Sequence, residues 1–211
     1  MALVADPVKF GLIASFAHPG GNVTGLALPL IDWGKWLELA REGVRGARQV
    51  AVIANSTNIV YANYVAQNEE AARRLGLQLQ ILPVASEGDF ADAFAAMKRS
   101  SASALVVGPD PLFNSNMQKI IDLARVHRLP VVAANRRYAE LGAIISFGTD
   151  LNYVFSRVAA YVDKIVRGAN PADLPVEQPE RFELVINLRS ARELGLTIPQ
   201  SLLLRADEVI Q

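Results

Sequence analysis

Short apolar runs recur at a nearly regular spacing over residues 49–148 of the chain. The first four begin roughly 27 residues apart, which is the length of a strand plus a crossover helix. Several runs are apolar without alternation, a pattern typical of parallel strands covered by helices on both faces. We therefore predict an α/β fold with a doubly wound parallel sheet. The predicted strands are residues 50–54, 77–84, 104–107, 130–134 and 143–147.

Polar loops follow the predicted strands, at residues 55–58, 108–111, 135–137 and 148–150. Right-handed crossovers between parallel strands bring such loops to one edge of the sheet, and doubly wound proteins bind their ligands at that edge. The sequence therefore predicts a site for a small molecule at the carboxyl ends of the strands.

Two interpretations stay open for the side chains in these loops. Asn55 and Asn58 can cap the following helix, or the start of that helix can bind a carboxylate or phosphate. Asp110 can cap a helix, or its carboxylate can meet a ligand's ammonium or hydroxyl group. Arg136 and Arg137 directly follow a strand, and they can pair with a ligand carboxylate or lie at a solvated helix end.

Two tryptophans, Trp33 and Trp36, lie in a stretch whose apolar residues have helical spacing. Such a pair can form a stacking platform for a ligand. It can also anchor a helix in a core or in a contact between domains.

Composition and motifs exclude several classes of function. Acidic and basic residues number 21 each, without a basic run, which argues against nucleic acid as the main partner. The chain has no cysteine, so disulfides, thiol catalysis and cysteine metal sites are excluded. No dinucleotide or phosphate-binding glycine motif, GxSxG elbow or pair of histidines at ligand spacing occurs. We therefore expect no cofactor, no metal and no catalytic residue.

Six motifs occur in an order that resembles one protein family. Together they closely resemble the substrate-binding proteins of ABC transporters, in the branch linked to aromatic amino acids such as tryptophan. The resemblance covers essentially the whole chain. The motifs are Asp-Pro-Val at 6–8, Pro-Gly-Gly-Asn-Val-Thr-Gly at 19–25, and the segments 161–165, 172–179, 182–187 and 194–199.

The resemblance implies two α/β lobes of the type 1 periplasmic-binding kind, hinged around a cleft. On this basis residues 35–150 are a complete second lobe, whereas residues 1–34 and 151–211 are crossover segments and part of the first lobe. Family members have further strands and a secretion signal before the point that matches Met1. A partial lobe exposes a sheet edge, so we expect association with another copy or a completing partner.

The same resemblance implies a periplasmic or extracytoplasmic protein that delivers a small solute to an ABC permease. Residues 1–7 lack the basic start and long apolar segment of a secretion signal, and no apolar run reaches the roughly 18 residues that span a bilayer. A chain that truly starts at Met1 is therefore expected to stay in the cytoplasm. A ligand-sensing regulator of the same fold and an α/β enzyme are the alternative functions.

Site residues also follow from the resemblance, by position. These residues suit an amino acid as ligand. N–H groups at helix starts can bind its carboxylate, and Asp110 or Asp150 can bind its ammonium group. Arg136 departs from the acidic residues of relatives, which favours a more anionic ligand. The implied ligand-binding residues are Asn55, Ser56, Asn58, Asp110, Asn135 and Asp150 of the second lobe and Asp6, Asn22 and Thr24 of the first.

Overall fold

A computed structural model of the chain describes residues 1–4, 6–27, 32–179 and 181–211. The described residues form strands β1 to β9, which are Ala2–Val4, Leu26–Ala27, Gln49–Asn55, Gln78–Val84, Ala104–Val107, Val131–Ala133, Ile145–Thr149, Phe182–Asn187 and Glu208–Ile210. They form helices α1 to α9, which are Lys35–Gly43, Tyr61–Leu75, Phe90–Arg99, Pro111–Ser115, Met117–Val126, Arg136–Leu141, Leu151–Val166, Leu188–Glu193 and Gln200–Leu203.

The chain divides into two compact units. The smaller unit comprises Met1–Ile31 and Thr149–Phe182, and the larger comprises Asp32–Gly148 and Glu183–Gln211. The sequence interpretation described residues 151–211 as crossover segments and part of the first lobe. The structure instead groups residues 183–211 with the larger unit, because β8 and β9 extend the sheet of that unit.

The sheet of the larger unit has the order β4-β3-β5-β6-β7-β8-β9. Strands β3 to β7 pair in parallel, so the predicted doubly wound α/β fold and its five strands are confirmed. Strand β3 is the first strand of this sheet along the chain, and its neighbours β4 and β5 lie on opposite sides of it. The chain therefore reverses its direction of winding at β3, and a crevice opens between the carboxyl ends of β3 and β5.

The last two strands complete this sheet in a different direction. The Asn187 N–H at the end of β8 donates to the Ile144 carbonyl just before β7, over 2.9 Å. The end of β8 thus lies beside the start of β7, and the two strands run in opposite directions. Strand β9 then pairs with β8 in parallel.

Helices cover both faces of the sheet, which explains why its central strands are apolar without alternation. Residues 50–54 and 104–107 are buried without exception. On one face Phe90, Phe94 and Met97 of α3 pack with Ile120 of α5 in a single cluster. Burial of each such side chain stabilises the fold by about 1.5–3 kcal/mol.

The smaller unit contains the parallel pair β1–β2 and the helix α7. Leu26 of β2 packs against Val154 and Tyr161 of α7. The Arg157 guanidinium binds both carboxylate oxygens of Glu177, at 3.0 and 2.5 Å, and lowers the pKa of that carboxyl group. No helix among the described residues has the length and apolarity needed to cross a bilayer.

We expect Gly148→Ala to destabilise the larger unit. A Cβ at Gly148 of β7 would collide with the carbonyl group of Ala134, which directly follows the neighbouring strand β6. Both partners are backbone, so relief requires the strands to separate, which costs about 1–3 kcal/mol or more. Urea unfolding followed by circular dichroism measures the loss. Gly88→Ala is the matched control, since a Cβ there meets only the Ser86 Oγ at 3.5 Å. Equal stability of the two variants would contradict this account of the strand contact.

Candidate functional site

Three side chains from two loops converge in the crevice between β3 and β5. Asp110 follows β5, and its Oδ1 accepts a hydrogen bond from the Asn55 Nδ2 at the end of β3, over 2.9 Å. Its Oδ2 accepts another from the Asn58 Nδ2, over 2.7 Å. Asn55, Asn58 and Asp110 were predicted as ligand-binding residues, and the structure brings these three together in one network.

Local backbone contacts hold each member of the network in place. The Asp110 Oδ1 also accepts from the Leu112 N–H at 2.8 Å, which caps α4. The Asn58 Oδ1 accepts from the Val60 N–H at 3.1 Å. The Asn55 Oδ1 accepts from both the N–H and the hydroxyl of Thr57, at 3.0 and 2.7 Å. The loops are therefore fixed by side chains at the crevice.

Asp110 is unusual in its environment. Its exposed fraction is 6%, and it is the only buried Asp, Glu, Lys, Arg or His among the described residues. No Lys, Arg or His in the described part of the chain forms an ion pair with it, and the donors that it meets there are two amides and one backbone N–H. A buried carboxylate without a cation is costly, which marks the site as a functional candidate.

An aromatic wall lies beside this carboxylate. The Trp33 ring meets the edge of the Tyr64 ring with centroids 4.8 Å apart and an interplanar angle of 82°. Together with the polar network these rings line one pocket, which we call the switch-point pocket. Its lining residues are Trp33, Asn55, Asn58, Val60, Tyr61, Tyr64, Gly108, Pro109, Asp110 and Phe113.

The two tryptophans have different surroundings. Trp36 is 1% exposed, and its Nε1 donates to the Phe147 carbonyl over 2.7 Å, so it anchors α1 in the core. Trp33 is partly exposed and lines the switch-point pocket. The anchoring interpretation thus applies to Trp36, whereas Trp33 lies where a stacking residue would be useful.

Tyr64 is the most constrained residue of the wall. Its hydroxyl oxygen is buried, and no described protein group meets it with hydrogen-bond geometry. Burial is the main cause that raises the pKa of Tyr64 well above its ordinary value, and the Asp110 charge adds to the rise. The nearby Gly108 backbone counteracts part of it. A Cβ at Gly108 would lie 2.7 Å from this hydroxyl oxygen, so glycine is needed there.

Two predicted residues of the larger unit lie outside the pocket lining. Ser56 is exposed, and its N–H donates to the Val84 carbonyl over 3.0 Å. Asn135 follows β6 and caps α6, because its Oδ1 accepts from the Arg137 N–H over 2.8 Å. Both residues nevertheless belong to loops at the carboxyl edge of the sheet.

Four predicted residues lie in the smaller unit, and one of them, Asp150, was expected in the second lobe. The Asp6 carboxylate is exposed and accepts from the Lys9 N–H, over 3.1 Å. Asn22 is exposed in the loop before β2, whereas the buried Thr24 hydroxyl donates to the Leu174 carbonyl over 2.6 Å. Asp150 caps α7 by accepting from the Tyr153 N–H over 3.0 Å. For Asp6, Thr24 and Asp150 the structure therefore gives a local structural role.

The suggestion that Arg136 favours an anionic ligand is not supported. Its guanidinium binds Glu183, Glu208 at 2.6 Å and Glu140 at 3.1 Å. The hydrogen bond with Glu208 is the largest of the effects that raise its pKa. These carboxylates come from α6, β8 and β9, so the guanidinium ties elements of the larger unit together and has no need of a ligand carboxylate.

Among the described residues, no group of three or more His, Cys, Asp or Glu side chains is arranged to hold a metal ion. The chemistry of the switch-point pocket is therefore that of one buried carboxylate, two amides, two phenols and an aromatic wall. Such a set can bind an amphipathic amine through charge and hydrogen bonds on one side and apolar contact on the other.

Comparison with known proteins agrees with this architecture. A family model described as ABC transporter substrate binding protein matches residues 1–210. A curated tyrosine-binding protein of Clostridioides difficile strain R20291 is 24% identical over 196 residues, which are 93% of this chain and 56% of that protein. The chain thus spans little more than half the length of this relative.

Two solved structures are similar over nearly the whole chain. One is the ABC domain in complex with L-Trp from Streptococcus pneumoniae, 26% identical with a TM-score of 0.87, covering 100% of this chain and 70% of that chain. The other is a conserved domain protein of Vibrio cholerae, 29% identical with a TM-score of 0.86, covering 99% of this chain and 70% of that chain.

We expect Gly108→Ala to destabilise the protein by about 1–3 kcal/mol, because the new methyl group displaces the buried Tyr64 ring. Tyr64→Phe alone is expected to be nearly neutral, since the hydroxyl it removes has no protein partner. The double variant should regain part of the loss, because the 2.7 Å contact disappears while the ring carbons at 3.1 Å remain. Urea unfolding of the four proteins gives the coupling. Strictly additive effects would mean that Gly108 is required for another reason.

Proposed function

The chain belongs to the family of ABC transporter substrate-binding proteins, and we propose that its larger unit binds an amino acid at the switch-point pocket without catalysing a reaction. The relatives reported above are solute-binding proteins rather than enzymes. As in the family, the bound solute would pass to an ABC permease from an extracytoplasmic location.

The observation that carries this proposal is the buried carboxylate of Asp110 at the topological switch point. Doubly wound folds bind ligands there because the strand ends and helix starts leave polar groups pointing into one crevice. An anion held by neutral donors keeps its charge, and a ligand ammonium can compensate it. The pocket lining contains no Lys, Arg or His among its residues, so it favours an amine over a carboxylate at this position.

We infer the type of side chain that the ligand carries from the aromatic residues of the pocket. Trp33, Tyr61, Tyr64 and Phe113 are among the residues that line the pocket, and aromatic pairs are worth about 0.5–1.5 kcal/mol beyond area burial. The proteins reported as similar include a domain bound to L-Trp and a tyrosine-binding protein. An aromatic amino acid therefore suits both the charge and the wall of the pocket.

The remaining predicted site residues stay part of the proposal, although no contact described above supports a role for them in ligand binding. Ser56 and Asn135 belong to the same sheet edge as the pocket. Asp6, Asn22, Thr24 and Asp150 would be the contributions of the smaller unit to ligand binding. Alanine substitution of the exposed residues Ser56 and Asn22 leaves the hydrogen bonds given above intact, so their effect on affinity is directly interpretable.

Isothermal titration calorimetry at pH 7 tests the proposal with L-tryptophan, L-tyrosine, L-phenylalanine, L-leucine and L-glutamate. We expect the aromatic amino acids to bind most tightly and L-glutamate least, because the pocket adds a negative charge beside an apolar wall. Asp110→Asn should weaken binding of the best ligand by about 10- to 100-fold, which corresponds to loss of a charge-assisted contact.

Asp122→Asn is the matched control. Asp122 is an exposed carboxylate on α5 that pairs with Arg125 at 3.1 Å, and such surface pairs contribute little. Thermal unfolding of both variants separates loss of binding from loss of fold. Equal affinities of a folded Asp110→Asn variant and the parent chain would remove Asp110, and with it the proposed site, from ligand binding.

A further inference from the structure

The hydrogen bonds of the Asp110 carboxylate leave its two oxygens unequal. A carboxylate oxygen can accept about two hydrogen bonds. The Oδ1 already accepts two, from the Asn55 amide and the Leu112 N–H. The Oδ2 accepts one, from the Asn58 amide. Within the described part of the chain, only Oδ2 therefore keeps capacity for another donor.

The two asparagines differ in the same way. The Asn55 Oδ1 accepts two hydrogen bonds, from the N–H and hydroxyl of Thr57, and is saturated. The Asn58 Oδ1 accepts one, from the Val60 N–H, counting only partners among the described residues. The amides thus look equivalent in their contact with Asp110, but only that of Asn58 can accept from a ligand.

The orientation of both amides follows from chemistry. An ionised carboxylate can only accept hydrogen bonds, so each amide must turn its nitrogen toward Asp110. The amide oxygen then faces the backbone N–H of its own loop, as it does at Thr57 and Val60. A flipped amide would place two acceptors against each other at the Asp110 carboxylate. The position of Asp110 therefore determines which atom of each amide is the acceptor that faces away from the carboxylate.

We infer that the Oδ2 of Asp110 and the Oδ1 of Asn58 form the acceptor pair for the ligand's ammonium group, and that Asn55 is a positioning residue. This inference rests on the proposed function. The two acceptors belong to side chains joined by a 2.7 Å hydrogen bond. An ammonium has three N–H donors and can use both acceptors at once. Asn55 acts through Asp110 by holding the other carboxylate oxygen.

The same accounting argues against a ligand carboxylate at this point. A carboxylate would meet the charge of Asp110 without a cationic side chain from the pocket lining to offset it. Arg136, which the sequence offered as a partner for a ligand carboxylate, is bound to three glutamates. The acidic end of an amino acid must therefore lie away from Asp110 and Asn58.

Removal of the ammonium from the ligand, combined with removal of each amide from the protein, tests the assignment. The ligand pairs are L-tryptophan with indole-3-propionate and L-tyrosine with 3-(4-hydroxyphenyl)propionate. The variants are Asn58→Ala and Asn55→Ala, which delete the same group and each cost Asp110 one donor. The measured quantity is the ratio of the dissociation constants within each ligand pair, at pH 7.

The parent chain should prefer the amino acid by at least about 10-fold, as expected of charge-assisted hydrogen bonds. In Asn58→Ala and Asp110→Asn this preference should fall to within about 3-fold. In Asn55→Ala it should stay within about 3-fold of the parent value, even where both ligands bind more weakly. Equal loss of preference in the two asparagine variants would overturn the assignment, as would no loss in either.

Thermal unfolding of every variant shows which proteins are folded, and Asn58→Ser and Asn55→Ser replace the alanine variants if those unfold. Failure of the assignment is distinguishable from failure of the function. An Asp110→Asn variant with weakened binding, together with equal asparagine variants, would refute only the acceptor pair. A parent chain that binds none of the five amino acids would overturn both.

Discussion

The parallel pairing of β3 with β5 is the constraint on which the site depends. Its register joins Val50 to Ala104 and Ile53 to Val107, so the end of β3 at Asn55 lies beside the loop that follows β5. The chain then leaves β3 toward β4 on one side and returns to β5 on the other. Asn55 and Asp110 are 55 positions apart, yet this geometry places them within a 2.9 Å hydrogen bond. Packing of apolar strands, rather than any polar attraction, brings the polar residues together.

Capping by these residues does not exclude ligand binding by the same side chains. Asp110 caps α4 with one oxygen and also receives the two amides, and Asn58 fixes the start of its loop through the Val60 N–H. Each cap uses only part of the hydrogen-bonding capacity of its side chain. The structural role orients the group, and the remaining capacity can serve a ligand. Asn55 has no such remaining capacity at its amide oxygen, because that oxygen already accepts two hydrogen bonds from Thr57.

The apolar pattern was sufficient to predict β3 to β7 of the larger unit and the edge that carries Asn55, Asn58 and Asp110. It could not decide whether Trp33 stacks on a ligand or anchors a helix, and it gave no signal for Tyr64, since the positions of both depend on how α1 and α2 pack on the sheet. It also could not predict the partners of Arg136. Those glutamates are remote in sequence and come close only because β8 and β9 join the sheet. Whether a side chain is free to bind a ligand thus depends on the tertiary structure, whereas the apolar pattern of a strand can be read from the local sequence.

The charge of Asp110 is compensated differently from that of two glutamates elsewhere in the chain, and the proposed selectivity of the pocket rests on this difference. Glu177 is neutralised by Arg157, and Glu140 shares two arginines, which lower the pKa of both glutamates. Asp110 instead receives only neutral donors. Neutral donors satisfy hydrogen bonds without cancelling the charge. Burial is the main cause that raises the pKa of the adjoining Tyr64 and Tyr138, and the charge of Asp110 adds to the rise. A lysine or arginine in place of either asparagine would complete the hydrogen bonds equally well but would remove the attraction for an ammonium group. Amide partners are therefore the residue type that keeps this carboxylate both held and charged.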